Sequence, residues 1–186
     1  MAGMAAGTAP ETTTTQALDG RTLRSALGHF ATGVTIVTGI GTRGRPVGVT
    51  ANSFASVSLD PPLVSWSLSR ESPNLATFRE GGRFAINILS EDQQSLSARF
   101  ARPVEDKFAS VPWFPGTTGC PILPDGLAWF DCRVHASHDV GDHVIFIGRV
   151  VAFEERGGAP LVFFGGRYLS APDLYEPDLS EPPSVR

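Results

Sequence analysis

Two short stretches place polar side chains beside apolar strand residues: Thr50-Ala51-Asn52-Ser53 and Ser67-Leu68-Ser69-Arg70-Glu71-Ser72. In the first, small side chains let a backbone approach a flat ring closely. Backbone N–H and C=O groups, with Asn or Ser tips, can then pair with a heteroaromatic edge. The second stretch adds anion chemistry. The hydroxyls of Ser67 and Ser69 and the Arg70 guanidinium lead into Ser72-Pro73-Asn74, where a third hydroxyl meets a predicted helix start whose unpaired N–H groups would favour a phosphate. Each stretch also has a plainer reading, a Gly/Ser-rich barrel corner for the first and a helix cap with a surface arginine for the second. Together, about one strand apart, they suit a phosphorylated heteroaromatic ligand better than either does alone.

The elements that would position these residues follow from periodicity and turn chemistry. Asp19 caps a predicted helix from Arg21 to Phe30, with Leu23, Ala26, Leu27 and Phe30 at helical spacing and Gly33 as its stop. Val34–Ile40 and Val47–Ala51 read as a hairpin around Gly41–Arg45. In the strand Leu63–Leu68, Leu63, Ser65 and Ser67 share one face, and Val64, Trp66 and Leu68 share the other. Ser72 is the predicted cap of a helix over Asn74–Glu80, closed by Gly81-Gly82. Phe84–Leu89 is a strand, and Ser90-Glu91-Asp92-Gln93 is a capping box for a helix lasting to Ala101.

Pro103–Asp125 has no period and reads as a long excursion of the lid type. Leu127–Ser137 and His143–Phe153 pair around a turn at 138–142, and Leu161–Phe164 with Arg167–Leu169 completes the sheet. Many short strands, few helices and no βαβ rhythm predict an antiparallel barrel flanked by helices. The expected organisation is a tail over 1–18, one domain over 19–172 and a polar, Pro-rich tail over 173–186.

Bulk composition excludes several classes of function. A formal net charge of -4 without a basic run leaves no footprint for nucleic acid or an anionic membrane. The first eighteen residues show neither a basic start nor an apolar run, so neither a signal peptide nor a membrane span is expected. Cys120 and Cys132 form no CxxC pair and read as buried thiols of a reducing compartment, consistent with a cytoplasmic address. His135, His138, Asp142 and His143 do not read as a metal site, because odd offsets on a strand send side chains to opposite faces.

Four motifs occur in order: Phe30-Ala31-Thr32-Gly33-Val34-Thr35; Gly48-Val49-Thr50-Ala51-Asn52-Ser53-Phe54 with Pro61-Pro62; Gly141-Asp142-His143; and Gly165-Gly166-Arg167-Tyr168. In this set the chain closely resembles the flavin reductase-like split barrels, the NAD(P)H:flavin reductase components of two-component flavin-dependent monooxygenases. The resemblance implies an antiparallel FMN-binding split β-barrel, a homodimer, FMN or FAD as flavin, NADH or NADPH as hydride donor, and a separate oxygenase that receives reduced flavin. It places Thr50, Ala51, Asn52 and Ser53 along the isoalloxazine, and Ser67, Ser69, Arg70 and Ser72 around the phosphate. Phe100 and Ala101 match a flavin-contacting stretch, His143 of the Gly141-Asp142-His143 signature would place the nicotinamide, and Tyr168 lies near the same pocket.

Two rivals stand beside this expectation: a split-barrel module that stores flavin or passes electrons without turnover, and a split-barrel oxidase whose long loop covers a small substrate. Without a GxGxxG after a strand, NAD(P)H would bind a surface other than a Rossmann fold. Arg43, Arg45, Arg149 and Arg167 are the cations that could meet a 2′-phosphate.

Overall fold

The computed structural model describes residues 19–170, so the tails expected at 1–18 and 173–186 lie outside the described residues. Helix α1 spans Gly20–Leu27, and the Asp19 carboxylate accepts from the Thr22 N–H at 3.0 Å, the predicted cap. It stops three residues before Phe30. Gly28 closes the last turn onto the Arg24 carbonyl, and its own carbonyl accepts from Gly165 N–H at 2.9 Å, drawing the chain away from the helix axis.

Next come β1 (Thr32–Gly33), β2 (Thr35–Ile40), β3 (Pro46–Ala51), β4 (Ala55–Leu59) and β5 (Pro62–Ser69). Strand β4 escaped the sequence reading although Ala55-Ser56-Val57-Ser58-Leu59 alternates apolar and polar residues, and in the fold that alternation buries no face: four of its five residues are exposed. In β5 the face split is as read: Val64, Trp66 and Leu68 are buried, while Ser65, Ser67 and Ser69 are only half-buried.

Helix α2 (Leu75–Gly81) leads through Gly82, at φ 63°, into β6 (Arg83–Ile88). The Ser90 N–H donates to Gln93 Oε1 at 3.1 Å before α3 (Gln94–Ala101). Short strands β7 (Phe114–Pro115) and β8 (Pro121–Ile122) precede the long ribbon β9 (Ala128–Val140) and β10 (His143–Glu155), then β11 (Leu161–Phe164) and β12 (Arg167–Ser170).

Seven strands make one antiparallel sheet in the order β3-β2-β6-β9-β10-β5-β4, and β1-β11-β12 form a second, smaller sheet. The large sheet curls so that its β3 edge approaches β5, giving a split β-barrel with flanking helices. Inside, Trp66 stacks on Phe146 with ring centroids 5.1 Å apart and meets Phe78 edge-on at 4.9 Å. A second cluster, including Ile36, Leu89, Phe100, Phe108 and Leu161, packs α3 and β11 onto the outside of β2 and β3.

Two expectations about loops change. The stretch 103–125 is not a free lid, because Phe108, Thr118, Cys120, Ile122 and Leu123 are buried and β8 closes part of the core. Core packing there comes from scattered residues between prolines and glycines, which leaves no period to read. The turn expected at 138–142 shrinks to Gly141-Asp142, with Gly141 at φ 57°, since β9 continues to Val140. His138 and Asp139 look like turn residues only because the ribbon tip is solvated on both faces.

Candidate flavin site

The split of the barrel creates the site. Strand β4 pairs with β5 only up to Ser65, so beyond that point the β5 edge has no ladder partner on that side. One serine replaces it. Ser53 Oγ accepts from Ser67 N–H at 3.0 Å and donates to the Ser67 carbonyl at 3.2 Å, bridging the two edges with a side chain. A groove of about 320 Å³ opens beside this bridge, walled by Thr50, Ala51, Asn52 and Ser53 from the β3 side and by Ser67, Ser69, Ser72 and His143 from the other.

Several of these hydroxyls already have an assignment. Thr50 Oγ1 donates to the Ser97 carbonyl of α3 at 2.6 Å, so Thr50 can offer a ligand chiefly its backbone. Asn52 Nδ2 donates to Thr32 Oγ1 at 3.3 Å, which leaves its carbonyl oxygen as an acceptor. Ser69 Oγ accepts from Glu71 N–H at 3.2 Å and Ser72 Oγ from Asn74 N–H at 3.3 Å. Both serines keep their own proton, so they are oriented donors for an anionic oxygen. Ser72 therefore caps a turn and not the helix: α2 begins at Leu75, and its capping residue Asn74 makes no side-chain cap bond.

His143 follows the two-residue turn. Its Nδ1 donates to Asp142 Oδ1 at 2.7 Å, and that hydrogen bond holds the Asp142 carboxyl below the usual carboxylate range. The pairing leaves Nε2 as the free ring nitrogen of a groove-lining residue. The hairpin tip is tied down by main chain and side chain alike. Arg70 N–H donates to the Asp142 carbonyl at 2.9 Å, and Arg79 Nη2 donates to Asp139 Oδ1 at 2.7 Å.

The remaining expected residues are distributed differently. Arg70 is exposed, with Nε 4.0 Å from Asp139 Oδ1, and it is absent from the groove lining. Ala101 and Tyr168 line a second cavity of about 230 Å³ behind the same Thr50–Asn52 segment, together with Phe163. Tyr168 is held there by its hydroxyl, 2.9 Å from Ser97 Oγ. Phe100 is fully buried and packs edge-on against Phe108, centroids 5.0 Å apart, so its ring supports β3 from beneath and has no face open to a ligand. Gly48 makes room for that ring, because a Cβ there would lie 2.5 Å from Phe100 Cε1. Sequence reasoning missed Ser97 and Phe163, which lie outside the motifs and reach the site only through the packing of α3 and β11.

Cys120 and Cys132 are buried free thiols. Burial raises both, Cys132 to about 12, so neither supplies a thiolate near neutral pH. Among the described residues no group of three His, Cys, Asp or Glu side chains could hold a metal ion, and no helix is long and apolar enough to cross a membrane.

This donor set is of the kind a flavin needs: short side chains on both walls, backbone groups at 50–53 and two oriented serine hydroxyls. Comparison with known proteins agrees with this class: the chain belongs to the family described as flavin reductase like domain, matched over residues 27–172. It is 52% identical over 157 residues to a probable flavin reductase of Rhizobium meliloti, covering 84% of this chain and 50% of that protein. It is 49% identical over 148 residues to the FMN reductase (NADH) SmoA of Agrobacterium fabrum, covering 80% of this chain and 84% of SmoA. The crystal structure of nitrilotriacetate monooxygenase component B from Mycobacterium thermoresistibile superposes with a TM-score of 0.80 at 42% identity, covering 89% of this chain and 97% of that one. The chain thus spans only half the length of the Rhizobium relative.

Proposed function

We propose that this chain is an NAD(P)H-dependent flavin reductase that binds FMN or FAD in the groove at the barrel split and supplies reduced flavin to a separate monooxygenase component. The carrying observation is the groove itself, where the Thr50–Ser53 backbone, the Ser69 and Ser72 hydroxyls and His143 converge. The names of SmoA and of the Mycobacterium component support the reading for their own proteins. A cytoplasmic address and a homodimer are part of the same proposal, the homodimer favoured by apolar side chains exposed on α1 and the ribbon, Leu27 and Phe153 among them.

When bound, a flavin and a nicotinamide would supply the hydride chemistry themselves. The chain supplies position and charge compensation. Backbone N–H groups near Asn52 stabilise negative charge at the ring's carbonyl edge, and Ser69 and Ser72 anchor the phosphate. His143, oriented by Asp142, would use its free Nε2 to position the nicotinamide. No side chain is asked to act as acid or base on carbon. The groove opens to solvent, which gives reduced flavin a route out.

Steady-state NADH and NADPH oxidation with FMN, FAD and riboflavin in parallel tests the reading. Turnover that depends on added flavin is the expected result, whereas a yellow protein that leaves NADH and NADPH intact would be a storage module. His143→Ala should raise KM for the nicotinamide about tenfold, the worth of one hydrogen bond of roughly 1.4 kcal/mol, and leave flavin affinity unchanged. A large loss of flavin binding instead would remove His143 from that role.

A further inference from the structure

A larger cleft of about 640 Å³ lies next to the groove, and nothing so far gives it a task. Its walls come from three segments: the β2–β3 hairpin at Arg45–Gly48, the turn residues Pro73 and Asn74, and the loop Pro103–Phe108. Two of these continue directly from groove residues, Gly48 into Val49 and Pro73 from Ser72. A ligand held by phosphate at Ser72 therefore has a path into it.

The wall is built and not merely left over. Arg99 Nε donates to the Lys107 carbonyl at 2.7 Å, and its Nη2 donates to the carbonyls of Ala109 at 2.7 Å and Asp106 at 3.2 Å. Asp106 Oδ1 accepts from the N–H groups of Phe108 and Ala109, both at 3.0 Å, so its carboxylate serves the loop. Lys107 Nζ donates to the carbonyls of Phe100 at 2.6 Å and Gly48 at 3.2 Å, which fixes the loop to β3.

The charges point to an anion with an aromatic base. Among the described residues neither Arg45 nor Lys107 forms an ion pair. Burial pulls the Lys107 ammonium below the usual lysine range, and a neighbouring phosphate would offset that cost. Glu105, exposed, is the lining carboxylate not spent on the loop. Pro46, Val47, Pro103 and Val104 add apolar surface of the kind a purine packs against.

We infer that this cleft binds the adenylate arm of the flavin, making FAD rather than FMN the preferred flavin of the chain. The inference rests on the groove being the flavin site and extends it. Contiguity at Ser72-Pro73 assigns the adenylate to the flavin, since the same arm on a nicotinamide dinucleotide would have to enter past the flavin phosphate.

Calorimetric titration of the full chain with FAD, FMN and riboflavin tests it, with Arg45→Ala and the cleft-filling Val104→Trp as variants. Wild type should bind FAD at least about tenfold tighter than FMN, each variant should cut FAD affinity about tenfold with FMN unchanged, and ADP should compete with FAD but not with FMN. Equal or tighter binding of FMN, or parallel losses for both flavins, would overturn the inference while leaving the flavin site standing. A rise in KM for NADH in Arg45→Ala without any change in FAD affinity would hand the cleft to the nicotinamide dinucleotide and also overturn it. If no flavin binds at all, the groove assignment falls and this inference with it.

Discussion

The two faces of β5 differ in everything except backbone. Inward, Val64, Trp66 and Leu68 are buried among Phe78, Phe84 and Phe146, where each side chain has one place to go. Outward, Ser67 and Ser69 lie where β5 is paired with β10 on one side only, and Ser53, just past the end of β3, substitutes for the missing ladder on the other. The contrast teaches how a barrel can be open at one seam without losing its fold. Packing of large rings carries the stability, and the split is left with small polar groups whose remaining hydrogen-bond capacity is free for a ligand.

Substitutions on the two faces should therefore separate stability from binding. Trp66→Ala leaves a large cavity in the ring cluster and should cost about 3–5 kcal/mol in denaturant unfolding. A loss under about 1 kcal/mol would mean that the cluster does not carry the barrel. Gly148→Ala sharpens the point from the opposite direction, because its Cβ would collide with Phe84 Cζ and with Cys132 Cβ across the sheet. Overpacking there should cost about 1–3 kcal/mol, with flavin binding by the remaining folded protein unchanged.

At the seam the expected order reverses. Ser53→Ala removes both bonds to Ser67, yet water can replace them, so unfolding should change by less than about 1 kcal/mol. Flavin affinity should fall several-fold as the walls lose their spacing, on the order of one lost hydrogen bond. Unaltered affinity would show that the bridge does not shape the groove. Smallest of all, Arg79→Ala cuts an exposed ion pair to Asp139 and should shift stability within about 1 kcal/mol. Any clear effect would appear in the nicotinamide KM, since that pair steadies the hairpin carrying His143.

Much of this was legible in the residues. The Asp19 cap, the alternation in β5 and the β2–β3 hairpin obey local rules of spacing and turn chemistry. That residues of the Thr50–Ser53 and Ser67–Ser72 stretches line one groove agrees with their reading as two polar stretches one strand apart. What misled was local polarity. His138 and Asp139 resembled a turn, Ser72-Pro73 resembled a helix start, and the buried half of 103–125 resembled a lid. Phe100, which matches a flavin-contacting stretch by resemblance, has its ring buried against Phe108 beneath β3.

The chain's own order of residues determined the β2–β3 hairpin, the apolar face of β5 and which hydroxyls cluster, because those depend on neighbours two to four positions away. Only the folded arrangement decided that Ser53 would close the seam against Ser67, that Thr50 would spend its hydroxyl on Ser97, and that Lys107 would lie between Gly48 and Phe100. Those contacts join residues from 7 to 59 positions apart, and their partners follow from how the sheet curls, which no local pattern encodes.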